Sequence, residues 1–420
     1  MTADATGPSS TRPPGDVRMR GFAERTTVEA ALDWLDRQLS ELDEEQVPLD
    51  GAAGRVLAGP VTSDFDVPGF DRAMMDGFAV RAEDTDGAST YNPLVLEEIG
   101  CALPGQPHDG TLASGQAVRI MTGAPLPAGA DAVLPAERAE CDDRRVAVHD
   151  AVSPGKHVGR RGEDVMAGAT ILCAGRVLRP QDLGLLSSIG AGIVSVVRRP
   201  RVAVLTTGNE VLPAGAAPRP NRIVDANGPM LAALVARDGG AVVRRSIVAD
   251  DPQVLLTAMR GDDFDVLIVS GGSSVGEEDY APRLLAQHGE LAVHGIAMRP
   301  SSPTGMGRLA GRPVFLLPGN PVSCLCAYDF FAGRAVRVLG GRSADWPHRR
   351  VAAPLARKIA SPIGRVDYMR VTMNDGRVEP LGTGGASILT TTTRADGFVI
   401  VPADSEGYPA GATVTVMLYD

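Results

Sequence analysis

"DVLIVSGGSSVGEEDYAPRLLAQHG", residues 265–289, reads as a buried strand, a glycine–serine turn closing on three carboxylates, and a helix. A continuous apolar run feeding a small-residue loop and then a helix is the unit from which parallel α/β sheets are built. Working outward, the unit recurs. "RVAVLTTG" (201–208), "AVVRRSIVA" (241–249) and "PVFLLPG" (313–319) read as further buried strands. "NGPMLAALVARDGG", "DDPQVLLTAMRG" and "NPVSCLCAYDFFAGRAVRVLGG" read as helices between or after them. Residues 199–342 are therefore expected to form a doubly wound α/β domain, whose ligands bind where the strands end at their carboxyl termini.

That rim collects the polar motifs. "TTGNE" (206–210), "ADD" (249–251), "SGGSSVGEEDY" (270–280) and "LPGNPVS" (317–323) each follow a strand. One such motif alone is most simply a turn with a helix cap, because Asp, Asn and Ser make caps routinely. All four on one edge indicate a site. The backbone amides around Gly208, Gly271, Gly272, Ser274 and Gly276 suit an anion such as phosphate, with Pro318, Gly319, Asn320 and Pro321 completing the edge. Glu277, Glu278 and Asp279 would repel the same anion. A divalent cation between ligand and carboxylates resolves the conflict, and an oxygen-only donor set favours Mg²⁺. Glu210, Asp250 and Asp279 are the candidates to hold or face it. Neither G-x-x-x-x-G-K-[ST] nor a G-x-G-x-x-G after the first strand is present, so an ordinary P-loop NTPase and a dinucleotide dehydrogenase are both disfavoured.

Composition bounds the rest. A chain of 420 residues ordinarily divides into several domains. Its net charge of −10 argues against long-range attraction to nucleic acid or an acidic membrane surface. No run approaches the ~20 apolar residues of a membrane span, and "MTADATGPSSTRPPGDVRMR" lacks the apolar centre of a signal peptide. Residues 1–21 read as a disordered lead. The five cysteines follow no disulfide framework, which points to a reducing cytoplasm. Cys324 and Cys326 lie in an apolar run and are expected to be core thiols.

"TTVEAALDWLDRQLSEL" has helical spacing, with Thr26 and Glu29 placed for a capping box. Residues 64–158 break into short strand-like runs punctuated by Gly and Pro, which suggests a small β-barrel. It is inserted into a composite N-terminal domain of residues 22–63 and 159–198. Residues 343–420 return to strands, with a hairpin expected at "NDG" (374–376), and form a C-terminal β-domain. Three further stretches combine charge or hydroxyl with glycine: "FDRAMMDGFAV" with Asp76, "MTGAP" with Thr122, and "GRRGED" with Arg160, Arg161 and Asp164.

"AMMDGFAV", "MTGAP", "RRGED", "TTGNE", "SGGSSVGEEDY" and "LPGNPVS" resemble, in order and spacing, the MoeA family of molybdopterin molybdenumtransferases, which includes the E domain of gephyrin. The likeness runs from about residue 22 to 420. It implies a MogA-like α/β domain, an inserted β-barrel, a C-terminal β-barrel and a homodimer with a shared cleft. It also implies the reaction: Mg²⁺-assisted hydrolysis of adenylylated molybdopterin, entry of molybdate into the dithiolene, and release of AMP. Asp76, Thr122 and Asp164 would then face Glu210, Asp250 and Asp279 of the other subunit. A MogA-like adenylyltransferase and recipient molybdoenzymes are the implied partners. Alternatives are a non-catalytic pterin-nucleotide-binding or scaffold paralogue and a tungstate-inserting homologue.

The chain departs from the family pattern at "MRPSSP" (298–303): Arg299 replaces a lysine, Ser301 a glycine and Ser302 a second basic residue. Gly385-Ala386-Ser387 stands for the frequent Gly-Ser-Gly, and Asn209 for an Asp found in some members, while Arg370 matches. Arg299 is expected to be the principal cation for molybdate, the alternative being an ion pair with a rim carboxylate.

Overall fold

The computed structural model describes residues 24–273, 279–381 and 387–419. The chain divides into two compact units, Gln46–Val196 and Met1–Glu45 with Val197–Asp420.

In the second unit six strands form one sheet, in the order Ala241–Val248, Arg201–Thr207, Val266–Ser270, Arg312–Leu317, Gly305–Leu309, Glu290–His294. The first four are parallel, as the repeated strand–loop–helix pattern requires. Their continuous apolar runs are explained by two faces that are both buried. Val204, Ile268 and Phe315 share a core with helices Asn227–Arg237 and Pro321–Ala327. The alternate residues Leu205, Leu267 and Leu316 share another with Pro252–Met259 and Tyr280–His288. Successive side chains of a strand point to opposite faces, so a strand covered on both sides carries no polar alternation. The last two strands are antiparallel, an edge hairpin the expected pattern did not include. Its residues pack closely, and a Cβ at Gly307 would run into the Glu290 carbonyl oxygen.

Helix Val28–Asp36 is present, but its cap is Thr27, whose Oγ1 accepts from the Ala30 N–H at 3.1 Å. The capping box expected from Thr26 and Glu29 does not form; Thr26 instead bridges Ile296. Val28, Ala31 and Leu35 enter the core of the α/β sheet, and Asp36 binds Arg334 through two hydrogen bonds of 2.7 and 2.8 Å. The helix thus packs within the unit that holds the α/β sheet.

The C-terminal strands form a second six-stranded sheet, ordered Met298–Arg299, Val366–Asn374, Gly397–Val401, Thr413–Leu418, Arg350–Pro354, with Arg377–Pro380 pairing Val366–Asn374. The expected hairpin closes through Asp375 (φ 49°) and Gly376 (φ 72°). Two successive positive φ values match the twist of the flanking strands and suit an Asp-Gly pair. Tyr368 stacks on Phe398 at 4.0 Å, and both belong to the α/β core.

In the Gln46–Val196 unit, residues from both ends of the segment, such as Leu57, Leu178, Leu186 and Val196, share one core. Between them lies a six-stranded sheet, ordered Ala132–Pro135, Gly77–Val80, Gln116–Ile120, Leu94–Ala102, Arg145–Val148, Ala139–Asp142. It is antiparallel except where Leu94–Ala102 meets Gln116–Ile120. Phe78 and Val80 face one core, Ala79 and Val118 another.

Candidate functional site

At the carboxyl ends of the parallel strands lies a cavity of about 710 Å³ lined by Glu210, Asp225, Asp250 and Asp279. Three of these four carboxylates were expected from the sequence. Gly208, Gly271, Gly272, Pro318, Gly319, Asn320 and Pro321 line the same cavity, so the four strand-end motifs do converge. Ser274 and Gly276, like Glu277, Glu278, Gly385 and Ala386, lie outside the described residues. Asp250 accepts from the Asn209 backbone N–H at 2.9 Å, and Asn209 Oδ1 accepts from the Asp250 N–H at 3.2 Å. That reciprocal pair ties the first strand's loop to the second's. A Cβ on Gly271 (φ 96°) would lie 2.7 Å from the Thr207 carbonyl oxygen, so only glycine brings the third loop's backbone this close. A Cβ on Gly208 would lie 2.7 Å from Glu210 Oε2, which shows the carboxylate folded over its own loop.

Two buried polar atoms of residues that line this cavity, Thr207 Oγ1 and Asn227 Oδ1, have no hydrogen-bond partner among the described residues. Asn227 is otherwise fixed, donating from Nδ2 to Ser270 Oγ at 2.9 Å and to the Gly319 carbonyl at 2.8 Å. An orphaned buried acceptor is costly, which marks these two atoms as places for a ligand's donor. Asn227, Thr207 and Asp225 were missed by sequence reasoning, although "DANGP" at a helix start offered a signal. Below the third loop, His294 Nε2 lies 3.1 Å from the Ser273 carbonyl. Burial lowers its pKa below the ordinary 6.5, against the opposing influence of that carbonyl and of Asp279.

The donor set around the cavity is all oxygen, as Mg²⁺ prefers, and Mg²⁺ typically takes only one or two carboxylates plus substrate phosphates. Among the described residues no three His, Cys, Asp or Glu side chains converge on one point. The residues therefore fit a metal completed by its ligand, not a closed protein cage.

Beside this cavity lies a second, of about 700 Å³, lined by Arg25, Arg299, Arg365 and Arg370 with Asp367 as its carboxylate. Pro303, Pro318 and Asn320 line both cavities. Arg299 is not a free cation: its Nη2 donates to Asp367 Oδ2 at 2.7 Å, an ion pair as in the alternative above, but with a carboxylate of the C-terminal sheet and not one of the rim. The cause is register. Met298–Arg299 runs parallel to Val366–Asn374 with Arg299 opposite Asp367, and side chains directly opposite on a ladder meet. Arg365 Nε donates to the other oxygen at 3.1 Å. Buried donors without a partner are on Arg370, which is 5% exposed and whose Nε and Nη1 have none among the described residues. Ser302 Oγ is likewise buried and unpartnered, whereas Ser301 Oγ donates to the Ser323 carbonyl. Arg25, Arg365 and Asp367 were not singled out in the sequence.

In the Gln46–Val196 unit, Asp76 Oδ1 accepts from both the N–H and the hydroxyl of Thr122, each at 2.7 Å. These bonds hold its carboxyl below the usual carboxylate range, so Asp76 is ionised at neutral pH. Arg160 and Arg161 are committed to acids: Arg160 Nη1 binds Asp71 at 2.8 Å and Arg161 Nε binds Asp66 at 2.5 Å. Glu163 pairs with Arg72 at 2.9 Å. Asp164 is exposed, with its backbone N–H on the Val67 carbonyl. Asp76 and Thr122 thus form one group, and "GRRGED" forms an ion network with Asp66 and Asp71.

The buried pair at Cys324 and Cys326 is as expected: burial pushes the Cys324 thiol up to about 12. No helix among the described residues is long and apolar enough to cross a membrane.

Comparison with known proteins covers nearly the whole chain. Residues 26–190 match the MoeA N-terminal region (domain I and II), 203–337 the probable molybdopterin binding domain, and 352–419 the MoeA C-terminal region (domain IV). The chain is 37% identical over 383 residues to molybdopterin molybdenumtransferase 2 of Mycobacterium tuberculosis, spanning 88% of this chain and 94% of that one. It is 31% identical over 400 residues to the molybdopterin molybdenumtransferase of Staphylococcus aureus, spanning 93% and 95%. A crystal structure of the molybdopterin biosynthesis MoeA protein from Pyrococcus horikoshii superposes with a TM-score of 0.81 at 34% identity, covering 94% of this chain and 99% of that one. With strand ends, cavities and sequence agreeing along its length, this chain belongs to the MoeA family.

Proposed function

We propose that this protein is a molybdopterin molybdenumtransferase, inserting molybdate into adenylylated molybdopterin with Mg²⁺-dependent release of AMP. The observation that carries the reading is the pair of adjoining cavities of opposite charge. The acidic one offers glycine-rich backbone and four carboxylates, suited to a nucleotide phosphate bridged by a divalent cation. The other offers four arginines and one carboxylate, suited to a tetrahedral dianion. Their common wall of Pro303, Pro318 and Asn320 keeps the two reactants within one neighbourhood, which is where most of the rate advantage of a two-substrate reaction arises.

One or two of Glu210, Asp250 and Asp279 would hold Mg²⁺ and the rest face it; when bound it would neutralise charge developing on the adenylate phosphate. Asn227 and Thr207 orient the ligand through their free polar atoms. Arg370 and Ser302 hold molybdate, while Arg299 serves through its pairing with Asp367. Asp76, fixed as an anion by Thr122, belongs to the reaction as the contribution of a second subunit in a homodimer. A cytoplasmic setting suits the five free thiols.

Purified protein given adenylylated molybdopterin, Mg²⁺ and molybdate should release AMP and yield active cofactor. Release should need Mg²⁺ and fall by roughly 10²-fold or more in Asp279→Asn, the scale of a lost transition-state charge interaction. Full activity in excess chelator would remove the metal-assisted reading. Tight binding of the pterin nucleotide with no AMP release under any of these conditions would identify a non-catalytic paralogue instead.

A further inference from the structure

We propose that Asp367 is a positioning residue that shapes the cationic cavity for one size of tetrahedral dianion. The inference rests on reading that cavity as the oxyanion site. A carboxylate lining an anion site is at first sight misplaced, since it opposes the ligand's charge. Its surroundings show what it does. Asp367 is 1% exposed, and its two oxygens are divided between two arginines, Oδ2 to Arg299 at 2.7 Å and Oδ1 to Arg365 at 3.1 Å. The arginines are not buried: their side chains are 37% and 32% exposed. A guanidinium carries five N–H donors in a rigid fork, so one bond to Asp367 orients each arginine and leaves other donors for a ligand. The buried carboxylate is in turn placed by its strand, opposite Arg299 in the ladder. Arg370, three residues further along the same strand and so on its opposite face, also lines the cavity and carries buried donors without a partner among the described residues.

Charge and geometry make opposite predictions here. If net charge set affinity, removing the Asp367 carboxylate would tighten binding of any dianion. If Asp367 sets the spacing of the arginine donors, removing it weakens binding and blurs discrimination between oxyanions of different size. Pairing through a carboxylate also makes an arginine non-interchangeable with lysine, whose single ammonium has no fork.

The test measures binding alone, by equilibrium dialysis of the full-length protein with molybdate or with the smaller sulfate, beside thermal melting. Asp367→Asn should raise the molybdate Kd by roughly tenfold or more, the scale of a charge-assisted hydrogen bond, and should narrow the preference for molybdate over sulfate. Arg365→Lys, which keeps the charge at a partly exposed position, should weaken molybdate binding several-fold with an unchanged melting temperature; it also decides the matter should Asp367→Asn fail to fold. Unchanged or tighter molybdate binding in Asp367→Asn, or unchanged binding in Arg365→Lys, overturns the positioning role. The Arg370→Ala variant separates the two levels. Loss of binding there upholds the oxyanion site whatever Asp367 does, whereas wild-type protein that binds neither anion overturns the site and this inference together.

Discussion

Asp250 accepts a hydrogen bond from Asn209 at the cavity wall, while its neighbour Asp251 caps helix Pro252–Met259, accepting from Gln253 and Val254, each at 2.9 Å. Two adjacent aspartates therefore invite opposite outcomes. Asp251→Ala should lower stability by about 1 kcal/mol, the usual cost of a lost cap, and leave AMP release per folded molecule intact. Asp250→Ala gives up one exposed hydrogen bond to the Asn209 N–H, so it should cost no more stability than Asp251→Ala and should strongly reduce AMP release. Melting curves paired with AMP assays check both, and matching effects from the two variants would sink the assignment. Three of the four rim acids, Glu210, Asp250 and Asp279, were legible because each followed a strand end, a place where chemistry gathers for topological reasons. Asp367 was not. It lies inside a strand, where a carboxylate has no motif, and its partner Arg299 is 68 positions away. Only the parallel pairing brings them together, and pairing between distant segments leaves no local trace in a sequence.

The third strand's loop rests on an element that pH can loosen. His294 ends the edge strand Glu290–His294 with Nε2 against the Ser273 carbonyl. Its pKa is lowered chiefly by burial, so the folded protein prefers the neutral ring. A group whose folded pKa lies below its unfolded value contributes stability that is complete above the unfolded value and lost as pH falls towards the folded one. The melting temperature should thus decline between about pH 7.5 and about pH 5.5, with a component missing from His294→Gln. An identical pH profile in that variant would remove His294 from the account. The parallel strands were legible through their apolar runs, and the hairpin at residues 374–376 through Asp-Gly chemistry. The edge hairpin carrying His294 was hidden because neither Glu290–His294 nor Gly305–Leu309, with its two glycines, has the continuous apolar run of the parallel strands. The cap of the first helix was displaced by one residue, since Thr26 and Thr27 are equivalent by type and only the bridge from Thr26 to Ile296 decides between them.

At the scale of the molecule, the proposed reaction divides its carboxylates between two compact units, with Asp76 in one and Asp279 in the other. Homodimers of Asp76→Ala and of Asp279→Ala should each be inactive. If each site draws the two residues from different subunits, mixing the variants gives dimers with one doubly damaged and one intact site. Activity should then return to about half of wild type per mixed dimer, read as AMP release after exchange verified with tagged subunits. No recovery after proven exchange would assign both residues to one chain. The change from helical to strand-like texture and back was read at residues 64 and 159, inside the unit Gln46–Val196 and not at its ends. What helix Val28–Asp36 packs against was not legible, because its apolar face suits any core and the contacts that fix it, such as that with Arg334, 298 positions away, join distant segments. The strand Met298–Arg299 has one more consequence, for anyone dividing the gene. It leaves the α/β segment to become the outermost member of the C-terminal sheet. Residues 343–420 expressed alone would therefore come away with a raw margin on Val366–Asn374, its amides open to the next copy, and such margins seed aggregation. A fragment begun at residue 297 would carry its own selvage.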